Sequence, residues 1–306
     1  MPANLPPQYW VAEKKLKQAR SSEEKIFILE RMLTLAPKHK GTERLQMDLK
    51  AKIAKLRKGG TGKKKGQKET HFFIDKEGAG QLAIVGPPNS GKSSLLNCLT
   101  NAKAKTGDFP FVTKFPQPAM MPFEDIFIQL IDNPPLTGDF FPPWLREILF
   151  WADGLLVVFS ADKPKEADDF MEILAKAGMA EKKMIIIANK MDLEESRKNL
   201  DFFEEKYRPE FLSCRQKEGI ENLKKRIFGL LEIIRVYSKK PSQAAELGSP
   251  FTCPKGSSLI EVAGQIHLDF AENFKYARLF KKGLKSPLIV GKDYVLQDGD
   301  IIEIHS

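Results

Sequence analysis

Cysteine and histidine are scarce in this 306-residue sequence, with three of the one and four of the other. Cys98, Cys214 and Cys253 are too scattered for a disulfide framework or a zinc cluster. So few thiols suit a reducing compartment. His267 and His305 stand alone, without metal-ligand spacing, and His267 reads as a helix-surface residue. No apolar run approaches the roughly 20 residues that cross a bilayer. The opening Met1-Pro2-Ala3-Asn4-Leu5-Pro6-Pro7 lacks a basic region followed by an apolar stretch. A cytoplasmic protein without a signal peptide or transmembrane segment is therefore expected. There is no internal repeat. The chain is 42% hydrophobic and 29% charged, which excludes wholesale disorder and suffices for two or three globular domains.

Positive charge is abundant but unevenly placed. Residues 1–70 hold 18 Lys and Arg against 7 Asp and Glu, a surplus of +11. The other 31 and 33 give residues 71–306 a balance of −2. A field of that sign attracts a polyanion such as RNA, or an acidic membrane surface. A solvated helical face with a flexible lysine tether accounts for the same composition. Within this arm, Ile26, Leu29, Met32 and Leu33, then Leu45, Leu49, Ile53 and Leu56, recur at helical spacing. Ser21-Ser22-Glu23-Glu24 reads as a helix start. The stretch 37–42 interrupts the pattern, with Thr42 placed to cap the next helix. Two or three helices are predicted, followed by a Gly/Lys-rich linker over 58–68.

From about residue 80 the texture changes. Short apolar runs at 82–85, 126–131, 155–159 and 184–188 read as strands buried on both faces, with helices over 166–177 and 220–231. This is the pattern of an α/β doubly wound, mostly parallel sheet. From 233 it changes again, to strands at 234–237, 250–254, 276–280 and 301–304. One helical face, Leu259, Val262, Ile266 and Phe270, lies among them. The expected division is a basic helical region with its linker at 1–70, an α/β domain at 71–232 and a small α+β unit at 233–306.

Two motifs carry chemistry. The first predicted strand runs into Gly86-Pro87-Pro88-Asn89-Ser90-Gly91-Lys92-Ser93-Ser94, a G-x-x-x-x-G-K-S phosphate loop between strand and helix. Its glycines let backbone N–H groups converge on phosphate oxygens. Lys92 reaches the β/γ-phosphates and Ser93 offers a hydroxyl to Mg²⁺. About 100 residues later, after another buried strand, stands Asn189-Lys190-Met191-Asp192. A carboxylate at Asp192 can accept from both N1–H and the exocyclic amine of guanine, a donor pair that adenine lacks. Together the motifs specify a GTP site.

On these residues the segment 80–230 resembles the Obg/DRG branch of the P-loop GTPases. The segment 233–306 resembles the TGS domain, β-grasp-like in fold, that this branch often carries. The N-terminal helices, with Lys38-His39-Lys40-Gly41-Thr42-Glu43, resemble the basic region of DRG-type proteins. The resemblance implies further roles. Asp108-Phe109-Pro110-Phe111-Val112-Thr113 falls at the first switch, which puts Thr113 on Mg²⁺ and the γ-phosphate. Asp132 of Ile131-Asp132-Asn133-Pro134-Pro135 falls at the D-x-x-G motif and would reach Mg²⁺ through water. Ser213-Cys214 would be the last guanine contact, and Asn89 sits where potassium-dependent relatives hold K⁺. Slow GTP hydrolysis would then serve as a switch on a ribosomal or other RNA complex, with Lys92 and Thr113 as the catalytic residues. A protein partner is expected at the aromatic-rich switches. Lys239, Lys240, Lys275, Arg278, Lys281, Lys282 and Lys285 are candidates for an RNA-facing side of the TGS unit, or for an ordinary solvated surface.

One departure stands out. Position 135 of the motif should be glycine, whose N–H donates to the γ-phosphate, and proline has no N–H. The domain that eukaryotic-type DRG proteins insert after this motif is also absent. Two alternatives to the hydrolysing switch follow: a GTP-binding module with little or no turnover, and an RNA-binding scaffold.

Overall fold

The computed structural model describes residues 5, 7–19, 22–37, 42–59, 74–100, 115–137, 141–243, 245–281 and 286–306. The chain separates into two compact units, Met1–Lys68 and Glu69–Ser306.

The first unit contains three helices, α1 (Pro7–Gln18), α2 (Ser22–Leu35) and α3 (Glu43–Gly59). Their shared interior holds Tyr9, Ala12, Ile28, Leu29, Met32, Leu49 and Ile53, so the helical spacing of apolar residues is used as expected. Arg44, Lys50, Lys52 and Lys55 of α3 are exposed. Thr42 is buried, and its hydroxyl donates to the Pro37 carbonyl, which Gln46 also reaches at 2.9 Å. The Pro37 corner is thus closed by side chains that satisfy a carbonyl of the preceding helix end. Lys58 and Gly59, expected to open the linker, instead end α3, while Ser21 and residues 60–68 lie outside the described residues.

In the second unit the α/β part runs β1 (Gln81–Val85), α4 (Lys92–Leu99), β2 (Gln117–Phe123), β3 (Ile126–Asp132), α5 (Pro143–Trp151), β4 (Gly154–Ser160), α6 (Pro164–Lys176), β5 (Met184–Asn189), α7 (Glu194–Lys198), α8 (Leu200–Tyr207), β6 (Glu210–Phe211) and α9 (Ile220–Leu231). The sheet order is β2-β3-β1-β4-β5-β6, and all pairings are parallel except β2 with β3. Strands β1 and β4 are buried along their full length. Alternate residues explain this: Ala83 and Val85 join Leu149 and Phe170 on one face of the sheet. Leu82 and Ile84 join Leu95, Leu99 and Ile227 on the other.

The antiparallel β2 was not foreseen. Pro118 and Pro122 lie within it, and only an edge strand tolerates them, because its outer side needs no ladder hydrogen bonds. At its base Gln117 pairs with Asp132. At its tip Phe123 pairs with Ile126 across the turn Glu124-Asp125.

The C-terminal part runs β7 (Ile233–Ser238), β8 (Phe251–Pro254), α10 (Leu259–Ile266), α11 (Leu268–Glu272), β9 (Tyr276–Phe280), β10 (Leu288–Val290) and β11 (Asp300–His305). The sheet order is β10-β9-β11-β7-β8, with β7 and β11 parallel. Leu259 and Val262 of α10 pack on Val236, Leu279 and Ile302. A capping box between Ser258 and Glu261 fixes the start of α10. The expected single helix through Phe270 breaks at His267. His267, read as a helix-surface residue, is exposed but stands between two helices rather than on one: its Nδ1 accepts from the Asp269 N–H at 3.2 Å as the cap of α11. Capping a new helix start outweighs continuing the old one.

Candidate functional site

The ends of β1, β3 and β5 meet at one edge of the α/β sheet, where ligand crevices of open parallel sheets lie. The loop after β1 bends tightly because its glycines have no Cβ. A Cβ on Gly86 would stand 2.2 Å from the Val158 carbonyl oxygen, and one on Gly91 would stand 2.2 Å from Asn189 Nδ2. Gly91 has φ 96 and Asn89 φ 59, both left-handed. Pro87 is buried, Pro88 half-buried and Asn89 exposed. Gly91 begins α4 with no side-chain cap, which leaves the first N–H groups of the helix for an anion. Ser94 lies in that first turn.

Lys92 is buried, and its ammonium donates to the carbonyls of Pro87 at 2.7 Å and Gly86 at 3.1 Å. Burial lowers its pKa to about 8, against the opposing pull of the Asp132 carboxylate. Ser93 Oγ donates to Asp132 Oδ2 at 2.6 Å, and Asp132 is fully buried at the end of β3. These are hard oxygen donors of the kind that Mg²⁺ takes. Two further buried atoms, Ser90 Oγ and Asn133 Oδ1, have no hydrogen-bond partner among the described residues. A loop with orphaned polar atoms, a buried lysine ammonium and an uncapped helix start fits a Mg²⁺-bound phosphate chain.

The chain leaves β3 through Asn133, whose Nδ2 donates to the Ile131 and Ile84 carbonyls at 3.0 and 3.2 Å. Pro134, Pro135 and Leu136 that follow are buried. The rigid Pro-Pro step therefore lies buried, directly after a residue bonded to β1, where a flexible glycine was expected. Thr113, with the rest of 108–113, lies outside the described residues. Of the aromatic cluster read as switch-associated, Phe141 and Trp144 pack against the core and Phe115 is 60% exposed. Phe109, Phe111 and Phe140 lie outside the described residues.

The base end is built on β5. Asn189 spans two loops: its Nδ2 donates to the Ser90 carbonyl at 3.2 Å, and its Oδ1 accepts from the Cys214 N–H at 3.2 Å. Lys190 takes φ 67, so the chain turns sharply before Asp192. Ser213 Oγ donates to Asp192 Oδ1 at 2.6 Å while accepting from Gln216 N–H at 3.1 Å. The Asp192 carboxylate is thereby aimed by a hydroxyl. Arg215 Nη1 lies 3.9 Å from its other oxygen.

Sequence reasoning passed over Cys98 and Asn133. Cys98 Sγ donates to the Cys214 carbonyl at 3.2 Å, bracing the base loop from α4. Burial pushes the Cys214 thiol up, with the Cys98 thiol beside it adding to the rise. Nothing local in the sequence marks that contact, because the partners are far apart in the chain.

Residues 81–190 match the family described as 50S ribosome-binding GTPase, and residues 234–306 match the TGS domain. An uncharacterised GTP-binding protein of Methanocaldococcus jannaschii is 27% identical, over 92% of each chain. The developmentally regulated G-protein 2 of Arabidopsis thaliana is 23% identical, over 92% of this chain and 90% of its own. Among solved structures, the YchF GTPase of Schizosaccharomyces pombe matches 77% of this chain and all of its own. Its TM-score is 0.50 at 15% identity, a likeness of fold. The chain joins a P-loop GTPase domain to a TGS domain, and along nearly all of its length it is similar to the GTP-binding proteins of the Obg/DRG type.

Proposed function

We propose that residues 71–232 form a guanine-nucleotide switch that binds GTP and GDP with Mg²⁺ and hydrolyses GTP slowly. Residues 1–70 and 233–306 serve as its arms toward a ribosomal or other RNA complex in the cytoplasm. One observation carries the nucleotide reading: Asn189 ties the phosphate loop at Ser90 to the base loop at Cys214. The two ends of a nucleoside triphosphate site are thus held in one frame, and Asp192 is aimed at its purine end by Ser213.

In this reading Gly86 to Gly91 and Ser94 supply backbone donors to the phosphates. Lys92 neutralises charge that develops during phosphoryl transfer, and Thr113 closes over the γ-phosphate and orients water. Ser93, Asp132 and Thr113 would hold Mg²⁺, which supplies charge neutralisation when bound. Asn89 is the candidate ligand for K⁺. Lys190 lies along the base through its aliphatic stem, Asp192 reads the guanine amine edge, and the Cys214 backbone faces the base oxygen. Calorimetry with GTP, GDP and ATP in the presence of Mg²⁺ tests the assignment. Equal affinity for adenine and guanine nucleotides would end it.

A second reading, binding without turnover, rests on Pro135. It is buried and has no N–H to offer a γ-phosphate. Single-turnover assays in K⁺ and in Na⁺, with and without ribosomes, separate the two readings.

The RNA role is supported by the face of the C-terminal sheet turned away from α10. There Tyr276 and His305 stack at 4.5 Å, while Lys239 and Arg278 converge on the buried Glu303 at 2.6 and 3.3 Å. Two cations and the His305 ring surround one acid. Aromatic faces interleaved with cations are what unpaired nucleotides stack on. Of the other candidates, Lys275 is exposed, Lys240 pairs with Glu246 and Lys281 with Asp300. Lys282 and Lys285 lie outside the described residues. A scaffold that binds RNA regardless of nucleotide remains the competing outcome of an RNA titration with GDP or a GTP analogue.

A further inference from the structure

The hairpin β2–β3 joins the two ends of the nucleotide machinery. Its base carries Asp132, opposite Gln117, and its first strand follows directly from the segment that holds Thr113. Its tip lies six residues from Asp132, roughly 20 Å along the strand. That tip is held from the neighbouring domain. Arg235, in the first strand of the TGS sheet, donates through Nη1 to Asp125 Oδ1 at 2.9 Å and to Glu124. Tyr237, two residues on and so on the same face, donates its hydroxyl to Asp125 Oδ2. Arg235 is held in turn from its own side: Asp298 accepts from its Nη2 at 2.8 Å, its Nε at 3.1 Å and its backbone N–H at 2.7 Å. The guanidinium lies 5.1 Å from the Phe228 ring, which stacks on Phe123 of β2.

This is a fixed geometry rather than a chance surface pair. The Arg235 side chain is only 12% exposed, and three carboxylates from two domains meet on it. Glu124 takes φ 50, a left-handed conformation that a two-residue hairpin turn ordinarily assigns to Asn or Gly. A glutamate there gives up turn propensity and gains a partner for Arg235.

We infer that Arg235 is a positioning residue that couples nucleotide state to the TGS domain by pinning the tip of the β2–β3 hairpin to β7. The inference rests on the nucleotide reading above. A displacement of Asp132 at the base of β3 on exchange of GDP for GTP would be carried by the rigid strand pair to Glu124 and Asp125, and by Arg235 to β7. Strand β7 pairs with β11, whose far end carries His305 of the cation–aromatic face. The coupling therefore reaches the surface offered to RNA.

Hydrogen exchange on the full-length protein, with Mg²⁺ and either GDP or a non-hydrolysable GTP analogue, tests it. In the wild type, exchange in 233–238 and 251–254 should differ by about fivefold or more between the two nucleotides. In Arg235→Ala that difference should vanish while protection of the phosphate loop by either nucleotide persists, and Arg235→Lys should restore part of it. Because Arg235→Ala leaves Asp298 without its partner, the paired variant Glu124→Gln/Asp125→Asn releases the hairpin side alone and should give the same loss. A nucleotide difference in β7 and β8 that survives this paired variant overturns the coupling. So does a wild type whose phosphate loop is protected while β7 and β8 ignore which nucleotide is bound. If neither nucleotide protects the phosphate loop, the nucleotide reading itself fails and the coupling with it.

Discussion

Ser213 donates its hydroxyl to Asp192 Oδ1 at 2.6 Å across 21 residues of chain, so the carboxylate proposed to read the purine is itself oriented by a buried side chain. Asp192→Asn should cost about 1.5–3 kcal/mol of GTP affinity, because one acceptor oxygen becomes a donor facing donors on guanine. Ser213→Ala should cost less, about 1 kcal/mol, since it removes orientation but leaves the acid. Competition binding with GTP and ATP reads both, and an unchanged guanine preference in Asp192→Asn would remove the assigned role.

Lys92 gives a pH signature. Its folded pKa is lowered to about 8, below the ordinary 10.5, because burial disfavours the ammonium. Below about 8 it is charged in both folded and unfolded chains, so the burial penalty is present in full. Between the two values the unfolded chain binds more protons, and stability of the nucleotide-free protein should rise with pH. Bound phosphates favour the ammonium, so nucleotide binding should take up a proton above about pH 8 and weaken as pH rises further. Calorimetry in buffers of different ionisation heat measures that uptake, and Lys92→Met should abolish it.

Ser93→Ala should weaken Mg²⁺-dependent nucleotide binding far more than binding without the metal. The Ser93 hydroxyl sits 2.6 Å from Asp132, and the two are the hard oxygen donors proposed for Mg²⁺. A Mg²⁺ titration of GDP affinity checks this. Equal loss with and without the metal would point to a disturbed loop instead.

Restoring Pro135→Gly returns an N–H and backbone freedom to a buried segment. It should cost up to about 1 kcal/mol of stability through the unfolded chain. It should also raise the preference for a GTP analogue over GDP, by the worth of one charge-assisted hydrogen bond, about 1.5–3 kcal/mol. No change in that preference would mean that the segment after Asp132 responds without an N–H at this position.

The exposed cations of α3 offer a separate test of the basic arm. Replacing Lys50, Lys52 and Lys55 by Gln should lower the salt dependence of single-stranded RNA affinity by about 0.7 per lost phosphate contact. A slope equal to that of the unmodified protein would assign these lysines to ordinary solvation.

Local chemistry was open to sequence reasoning. The run into Gly86 and Lys92 and the tetrad from Asn189 to Asp192 each lie within a few residues, and their strands announce themselves as apolar runs buried on both faces. Strand β2 escaped because Pro118 and Pro122 contradict strand propensity everywhere except at a sheet edge, and edge position follows from the assembled sheet. The helix break at His267 escaped because the apolar spacing runs through it undisturbed, while the deciding interaction is a single cap bond to Asp269.

Composition and short-range spacing encode a phosphate loop, a guanine-type tetrad, a positively charged arm and a small C-terminal α+β unit, so each of these is legible along the chain. It took the folded chain to show that Asn189 joins Ser90 to Cys214, that Cys98 braces the loop at Cys214, and that Arg235 clasps Asp125 across 110 residues of chain. Such contacts join side chains that are distant in sequence. Which polar group meets which is fixed by where the packed strands and helices bring their ends, and no periodicity along the chain records that.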